Sequence, residues 1–238
     1  MEDHVSFDFP FRVTHSRRKT AAIHVSKMGV EVRLPFGVSQ QFAHEFVHSK
    51  LSWVQQKWQQ QQAKANQLPK LAFGETLLWL GEPHTLVFQR SARRKQVFIQ
   101  ANCLVLESPT QPSPSEMAAM LESFFKVHAK RRLPQQTVEK AKSLGLVERL
   151  TDVRFRRTKT KWGHCTSKGV IQYNWMILGA PEAVIDYLVC HEVCHLKHPH
   201  HGPAFWAEVK RACPDYQLHE RWLNQQSHRL DWIASIPS

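Results

Sequence analysis

Apolar and polar residues change their rhythm along this chain, and each change marks a different element. Val30, Val32 and Leu34 alternate with Glu31 and Arg33, the period of two that a half-buried strand requires. Lys27-Met28-Gly29 ahead of them supplies a turn. After Ser39, a residue suited to cap a helix, Phe42, Phe46, Trp53 and Val54 recur at helical spacing. They predict one long helix running into the Gln-rich residues 55–67, which read as a solvated helix face or tail. Short strands are expected at 76–80, 84–89, 96–100 and 104–107. The run Ser108-Pro109-Thr110-Gln111-Pro112-Ser113-Pro114 predicts a loop, with Ser115-Glu116 opening a helix through Phe124, Phe125 and Val127. This loop is the expected boundary between a strand-rich region with one long helix, residues 1–107, and a second region, residues 115–238. The fold class is α+β.

The second region carries the chemistry. Pro181-Glu182 has the composition favoured at a helix start. Val184, Leu188, His191 and His195 then fall on one helical stripe, with Ile185, Val189 and Cys194 alongside. A largely buried helix is expected, and a pair of histidines without partners there is costly. Residues four apart share a helix face, so His191 and His195 aim two imidazoles at one metal ion. Glu192 in His191-Glu192-Val193-Cys194-His195 is placed to take a proton from a water on that metal. With 15 histidines in 238 residues, the motif alone is weak, and its helical context is what gives it force.

For a third ligand the sequence offers His198, His200 and His201. In an unbroken helix His198 lies about 10 Å along the axis from His191, whereas imidazole nitrogens on one tetrahedral zinc are about 3.3 Å apart. Pro199 ends the helix at or before His198, and a turn then brings back His200 or His201. Glu208, one short helix further on, is a further candidate.

Several longer pieces resemble the YgjP-like metallopeptidase family, relatives of the SprT and WLM proteases. They are VRFRRTKTKWGHC (153–165), GVIQYNWMIL (169–178), VIDYLVCHEVCHLKH (184–198), HGPAFW (201–206) and CPDY (213–216). SRRKTAAIHV (16–25), FVHSKLSWVQQKW (46–58) and LLWLGEPHTLVF (77–88) extend the likeness into the N-terminal half. The resemblance implies a zincin-like metallohydrolase domain whose active-site helix carries the HExxH motif, with one zinc per chain. It implies His201 as the third ligand beside His191 and His195. It also puts Lys159, Lys161 and Trp162 in the segment leading to a strand that borders the site, expected at 170–178. That strand is expected to align an extended substrate by edge pairing. His164 stands where the family usually has Ser, and His200 where Asn is common. Tyr187, His164 and Lys161 are the candidates for the oxyanion contact.

Composition narrows the setting. The first ten residues, MEDHVSFDFP, carry acids and no apolar core of a signal peptide, and no run approaches the roughly 18 apolar residues of a membrane helix. A soluble cytoplasmic protein with no membrane partner is expected. Five cysteines at irregular spacing suit a reducing compartment, with Cys190 and Cys194 read as small core residues. The formal charge of +12 permits an anionic partner, nucleic acid or nucleotide, through Arg17-Arg18-Lys19, Arg93-Arg94-Lys95, Lys130-Arg131-Arg132 and residues 154–161.

Three function classes follow. The first is a zinc peptidase on a protein or peptide substrate, with Glu192 as general base; SprT-like relatives act on DNA-attached proteins, which would use the basic surface. The second is a metal-dependent hydrolase of nucleotide phosphoanhydrides, with residues 154–161 clamping phosphate. The third is a DNA-binding module with structural zinc, which normally needs a fourth protein ligand and has no use for Glu192.

Overall fold

Val30, Val32 and Leu34 do form the buried face of a strand, β3 (Gly29–Pro35), the middle of a three-stranded sheet. Its neighbours are β1 (Phe11–Ser16), which is parallel to it, and β2 (Ala22–Ser26), which is antiparallel. On the outer face Glu31 accepts hydrogen bonds from Arg33 and Thr14 and pairs with Arg12. The computed structural model describes residues 7–158 and 160–235, so the candidate Lys159 lies outside the described residues.

Ser39 caps the next helix as expected, its hydroxyl accepting from the Phe42 amide at 3.2 Å. The single long helix does not materialise: α1 (Gln40–His48) and α2 (Leu51–Asn66) are separate. At the break the Ser49 hydroxyl turns back onto the Phe46 carbonyl, and the Ser49 and Lys50 amides close onto Glu45 and Val47. The inward face also differs from the expected one. Ala43, Val47 and Val54 pack against β3 and Phe9, leaving Phe42 and Trp53 more than 40% exposed. These elements make up the first of two compact units, which divide between Gln67 and Leu68.

The second unit starts with a four-stranded sheet in the order β4-β5-β7-β6: β4 (Thr76–Trp79), β5 (Glu82–Arg90), β6 (Gln96–Gln100) and β7 (Cys103–Ser108). β5 and β7 are parallel and the other pairs antiparallel. The 30-residue helix α3 (Pro114–Ser143) follows, opened by a capping box in which Ser113 and Glu116 satisfy each other's backbone amides. Helix start and loop thus sit one or two residues from the expected positions, and the expected regional boundary falls inside one core. Met117, Leu121 and Phe125 of α3 belong to the same buried cluster as Leu77, Leu86, Leu104 and Leu106 of the sheet. That cluster continues through Ile171 and Trp175 to Val184, Ile185 and Val189. The 108–113 loop only reverses the chain within it.

A second three-stranded sheet has the order β8-β10-β9, with β8 (Asp152–Phe155) parallel and β9 (Gly163–Cys165) antiparallel to β10 (Val170–Tyr173). The strand expected at 170–178 therefore ends early. Trp175–Gly179 is a 3₁₀ helix, entered by an Asn174 side chain that accepts from the Met176 amide. All five of its residues are buried, so its apolar run carries no alternation that separates strand from helix. β10 is also paired on both sides, which leaves β8 and β9 as the edges. The β4–β5 turn docks on this 3₁₀ segment: Leu80 and Gly81 amides donate to Leu178 and Gly179 carbonyls at 2.8 and 3.1 Å. Gly81 has φ +89, and a Cβ there would lie 2.8 Å from Pro181 Cα. The backbone contact fixes where α4 (Glu182–Cys194) begins. α5 (Pro203–Ala212) and α6 (Tyr216–Gln226) complete the unit. Among the described residues no helix is long and apolar enough to cross a membrane.

Candidate metal centre

α4 is buried along most of its surface, and this is what leaves its histidines in a defined place. Val184, Ile185, Val189 and Val193 join the main core, while Tyr187, Cys190 and Cys194 pack with Phe205 and Val209 of α5. Cys190 and Cys194 are wholly buried and unpaired by any disulfide, in keeping with a role as small core residues. His191 and His195 occupy the stripe between those two faces and are half-buried. The helix stops at Cys194, and His198 closes the turn with its amide on the Cys194 carbonyl at 3.0 Å. Gly202 and Pro203 then start α5.

The turn returns His201 to the helix. Its Nε2 lies 3.1 Å from Nε2 of His195 and 3.1 Å from Nε2 of His191. The ligand atoms of these three residues all fall within 4.8 Å of one another. His195 Nδ1 sits 2.9 Å from the His198 carbonyl and must donate to it; His191 Nδ1 lies 3.4 Å from the Tyr187 hydroxyl. With its Nδ1 carrying the proton, His195 presents an Nε2 lone pair toward His201, the arrangement that suits a cation held among the three rings. Burial and the neighbouring imidazoles push His191 down to about 3, and burial also lowers His195, so both are neutral imidazoles at neutral pH. Phe205, 1% exposed, packs on all three rings with centroid distances of 4.4 to 5.0 Å.

His198 and Glu208 lie elsewhere. The His198 ring points to Glu208 at 3.7 Å, and Glu208 is engaged by Lys197 and Arg211. His200 is exposed and outside the cluster.

Glu192 is 4% exposed, and its Oε2 has no hydrogen-bond partner among the described residues. Burial pushes its carboxyl up to about 8, against a smaller downward pull from Lys161. It lies against β9 so closely that a Cβ on Gly163 would come within 2.3 Å of Oε1. Asn174 holds that approach: its amide donates to the Trp162 carbonyl at 2.8 Å and its side chain to the Thr158 carbonyl at 3.1 Å. A cleft of about 810 Å³ opens here, and Lys161, Trp162, His164 and Tyr187 line it with the three histidines and Glu192. Cys165 also lines it, and burial together with Glu192 pushes its thiol up to about 11.

The sequence reading missed three contributors. Gly163 matters for lacking a side chain, and its only signal was its place after Trp162. Phe205 was quoted within HGPAFW without a role. The α6 wall, with Glu220, Leu223 and Asn224, had no signal beyond amphipathic spacing.

A fold of this kind, with clustered imidazoles beside a buried carboxylate, defines a metallohydrolase-type centre. The chain belongs to the YgjP-like metallopeptidase domain family, whose family model matches residues 19–226. Membership implies a metal. Among curated proteins none matches the chain. It is also similar to the crystal structure of the metallopeptidase zymogen of Pyrococcus abyssi abylysin, at 25% identity over 40% of this chain and 95% of that one, with a TM-score of 0.36.

Proposed function

We propose that this protein is a zinc-dependent peptidase in which His191, His195 and His201 hold one zinc and Glu192 is the general base. The observation that carries this reading is the position of His201 Nε2, 3.1 Å from Nε2 of His191 and 3.1 Å from Nε2 of His195, next to a buried carboxylate with an oxygen that has no partner among the described residues. The spacing agrees with the roughly 3.3 Å expected between nitrogens on tetrahedral zinc. HExxH helix, turn and third histidine together make the unit zincin-like. Zinc held by these three imidazoles would supply Lewis-acid chemistry, making a water acidic and polarising the scissile carbonyl. Glu192 accepts a proton from the attacking water and delivers it to the leaving amine. A cation at the histidines brings its carboxyl back toward the ionised form that this requires. β9, whose outer edge is unpaired among the described residues, offers main-chain groups to an extended peptide.

A second reading, hydrolysis of a nucleotide phosphoanhydride, is favoured by Lys161 on the cleft wall. Of the other cations in its expected clamp, Arg154 pairs with Asp152 and Arg157 with Asp231. Nucleic-acid-linked substrates rest on exposed basic residues only, Arg17, Lys19, Arg93, Arg94, Lys95, Lys130 and Arg131 among them.

The test compares zinc-loaded wild type with Glu192→Gln on casein, DNA-bound protein and nucleoside triphosphates. Casein should be cleaved, and the variant, folded and zinc-replete, should lose at least about 100-fold in rate. Turnover of triphosphates with intact casein would overturn the peptidase reading. Near wild-type cleavage by the variant would remove Glu192 from the mechanism.

A further inference from the structure

The two long walls of the cleft differ in charge. Lys161 and His164 stand on the β9 side, and Glu220 of α6 stands on the other. Besides Glu192, Glu220 is the only carboxylate among the described residues lining the cleft. It is half-buried, and among the described residues it has no hydrogen-bond or ion-pair partner. Glu192 aside, the other described carboxylates that lack a side-chain partner, Asp8, Glu75, Glu82, Glu148 and Asp215, are exposed, whereas Glu31, Glu116, Glu182, Glu208, Asp152 and Asp231 have cationic partners. Its helical neighbour Arg221 is exposed and donates to the Gln217 carbonyl instead.

The surroundings of Glu220 suit a long cationic side chain. Trp206, stacked on Tyr216 with centroids 5.3 Å apart, and Leu223 line the same cleft. An alkyl stem can lie along such apolar surface while its charged end reaches water or a carboxylate, and an indole face attracts a cation. Glu220 also shares this cleft with Tyr187, whose hydroxyl lies 3.4 Å from His191 Nδ1.

We infer that Glu220 is a specificity-determining residue that selects a lysine or arginine side chain adjacent to the scissile bond, its stem lying on Trp206 and Leu223. The inference rests on the peptidase reading of the same site. A polyanionic nucleotide would meet Glu220 as a repulsive charge, so the two substrate classes make opposite demands on it.

Zinc-loaded full-length protein is incubated with a mixture of random-sequence peptides, and the cut positions are mapped by mass spectrometry for wild type, Glu220→Gln and Glu220→Lys. Wild type should cut next to Lys or Arg. In Glu220→Gln the ratio of kcat/KM for an arginine peptide to that for its norleucine counterpart should fall by about tenfold, the scale of a partly buried charge pair. Glu220→Lys should move the preference toward Asp or Glu. Glu220→Asp, which keeps the charge, should retain the preference and serves if the other variants fail to fold. Cleavage by wild type with no cationic preference, or an unchanged ratio in Glu220→Gln, overturns the inference and leaves the peptidase reading standing. No cleavage of any peptide by wild type overturns both.

Discussion

The first turns of α4 and its last turn are buried to similar depth, yet their side chains are satisfied in opposite ways. Val184, Ile185, Leu188 and Val189 are 0–5% exposed and need only apolar contact, which Trp175, Ile171 and their neighbours supply. One turn later Glu192 is 4% exposed with an oxygen lacking any partner among the described residues, and the Nε2 atoms of His191 and His195 each lie 3.1 Å from that of His201. A buried carboxylate without a partner costs stability, so the last turn is organised for something other than folding. The first turns hold the helix rigid so that the last can keep polar groups unsatisfied at fixed distances.

The strongest way to break this contrast is at the imidazoles. His191→Ala, His195→Ala and His201→Ala should each lose zinc, whereas His198→Ala should keep about one zinc per chain, because the His198 contribution is a backbone carbonyl that alanine retains. Elemental analysis of purified variants decides it. Zinc retained by His201→Ala and lost from His198→Ala would reverse the ligand assignment.

At the apolar end the effect should be on stability alone. Ile185→Ala removes a wholly buried side chain and should cost about 2–5 kcal/mol in chemical denaturation while zinc stoichiometry in the folded protein stays the same. A variant that keeps its stability but loses zinc would show that the two ends are not separable in this way.

Gly163 tests the contact between β9 and the polar end. Gly163→Ala places a methyl group 2.3 Å from Glu192 Oε1, and relieving that overlap should cost about 1–3 kcal/mol and displace the carboxylate. In a Glu192→Ala background the same substitution should cost much less, a coupling that a double-mutant cycle measures directly. Equal costs in both backgrounds would mean that the strand yields, not the glutamate.

The same contrast explains what the sequence could reveal. The HExxH helix was legible because its apolar positions follow the 3.6 period and its proposed ligands stand four apart. Pro199 narrowed the third ligand to His200 or His201, but only the longer family resemblance favoured His201, whose position depends on a turn. Trp175–Gly179 was misread because a segment buried on every side has no polar face to set a period. The Ser49-Lys50 break has neither Pro nor Gly to announce it. The expected boundary at 108–114 rested on local turn chemistry, whereas continuity of the core is decided by long-range packing of Met117, Leu121 and Phe125 onto the sheet. Gly163 and Glu220 face the site from elements distant in sequence, and no spacing rule reaches them.

The smallest expected effect concerns how the last turn orients its ligands. His195 is held by a main-chain carbonyl, His191 by the Tyr187 hydroxyl at the longer distance of 3.4 Å. Partners of this kind fix the tautomer and ring angle of a metal-binding histidine, and losing one commonly weakens metal binding by about 10–100-fold. Because a 3.4 Å contact is long for a hydrogen bond, Tyr187→Phe should fall at the low end, about tenfold, with the ring and its packing against His191 preserved. Competition against a chromophoric zinc chelator measures this, and kcat/KM at saturating zinc separates it from a direct role in turnover. Unchanged zinc affinity combined with slower turnover would move Tyr187 from orienting His191 to contacting the developing oxyanion, the other role open to its hydroxyl in this cleft.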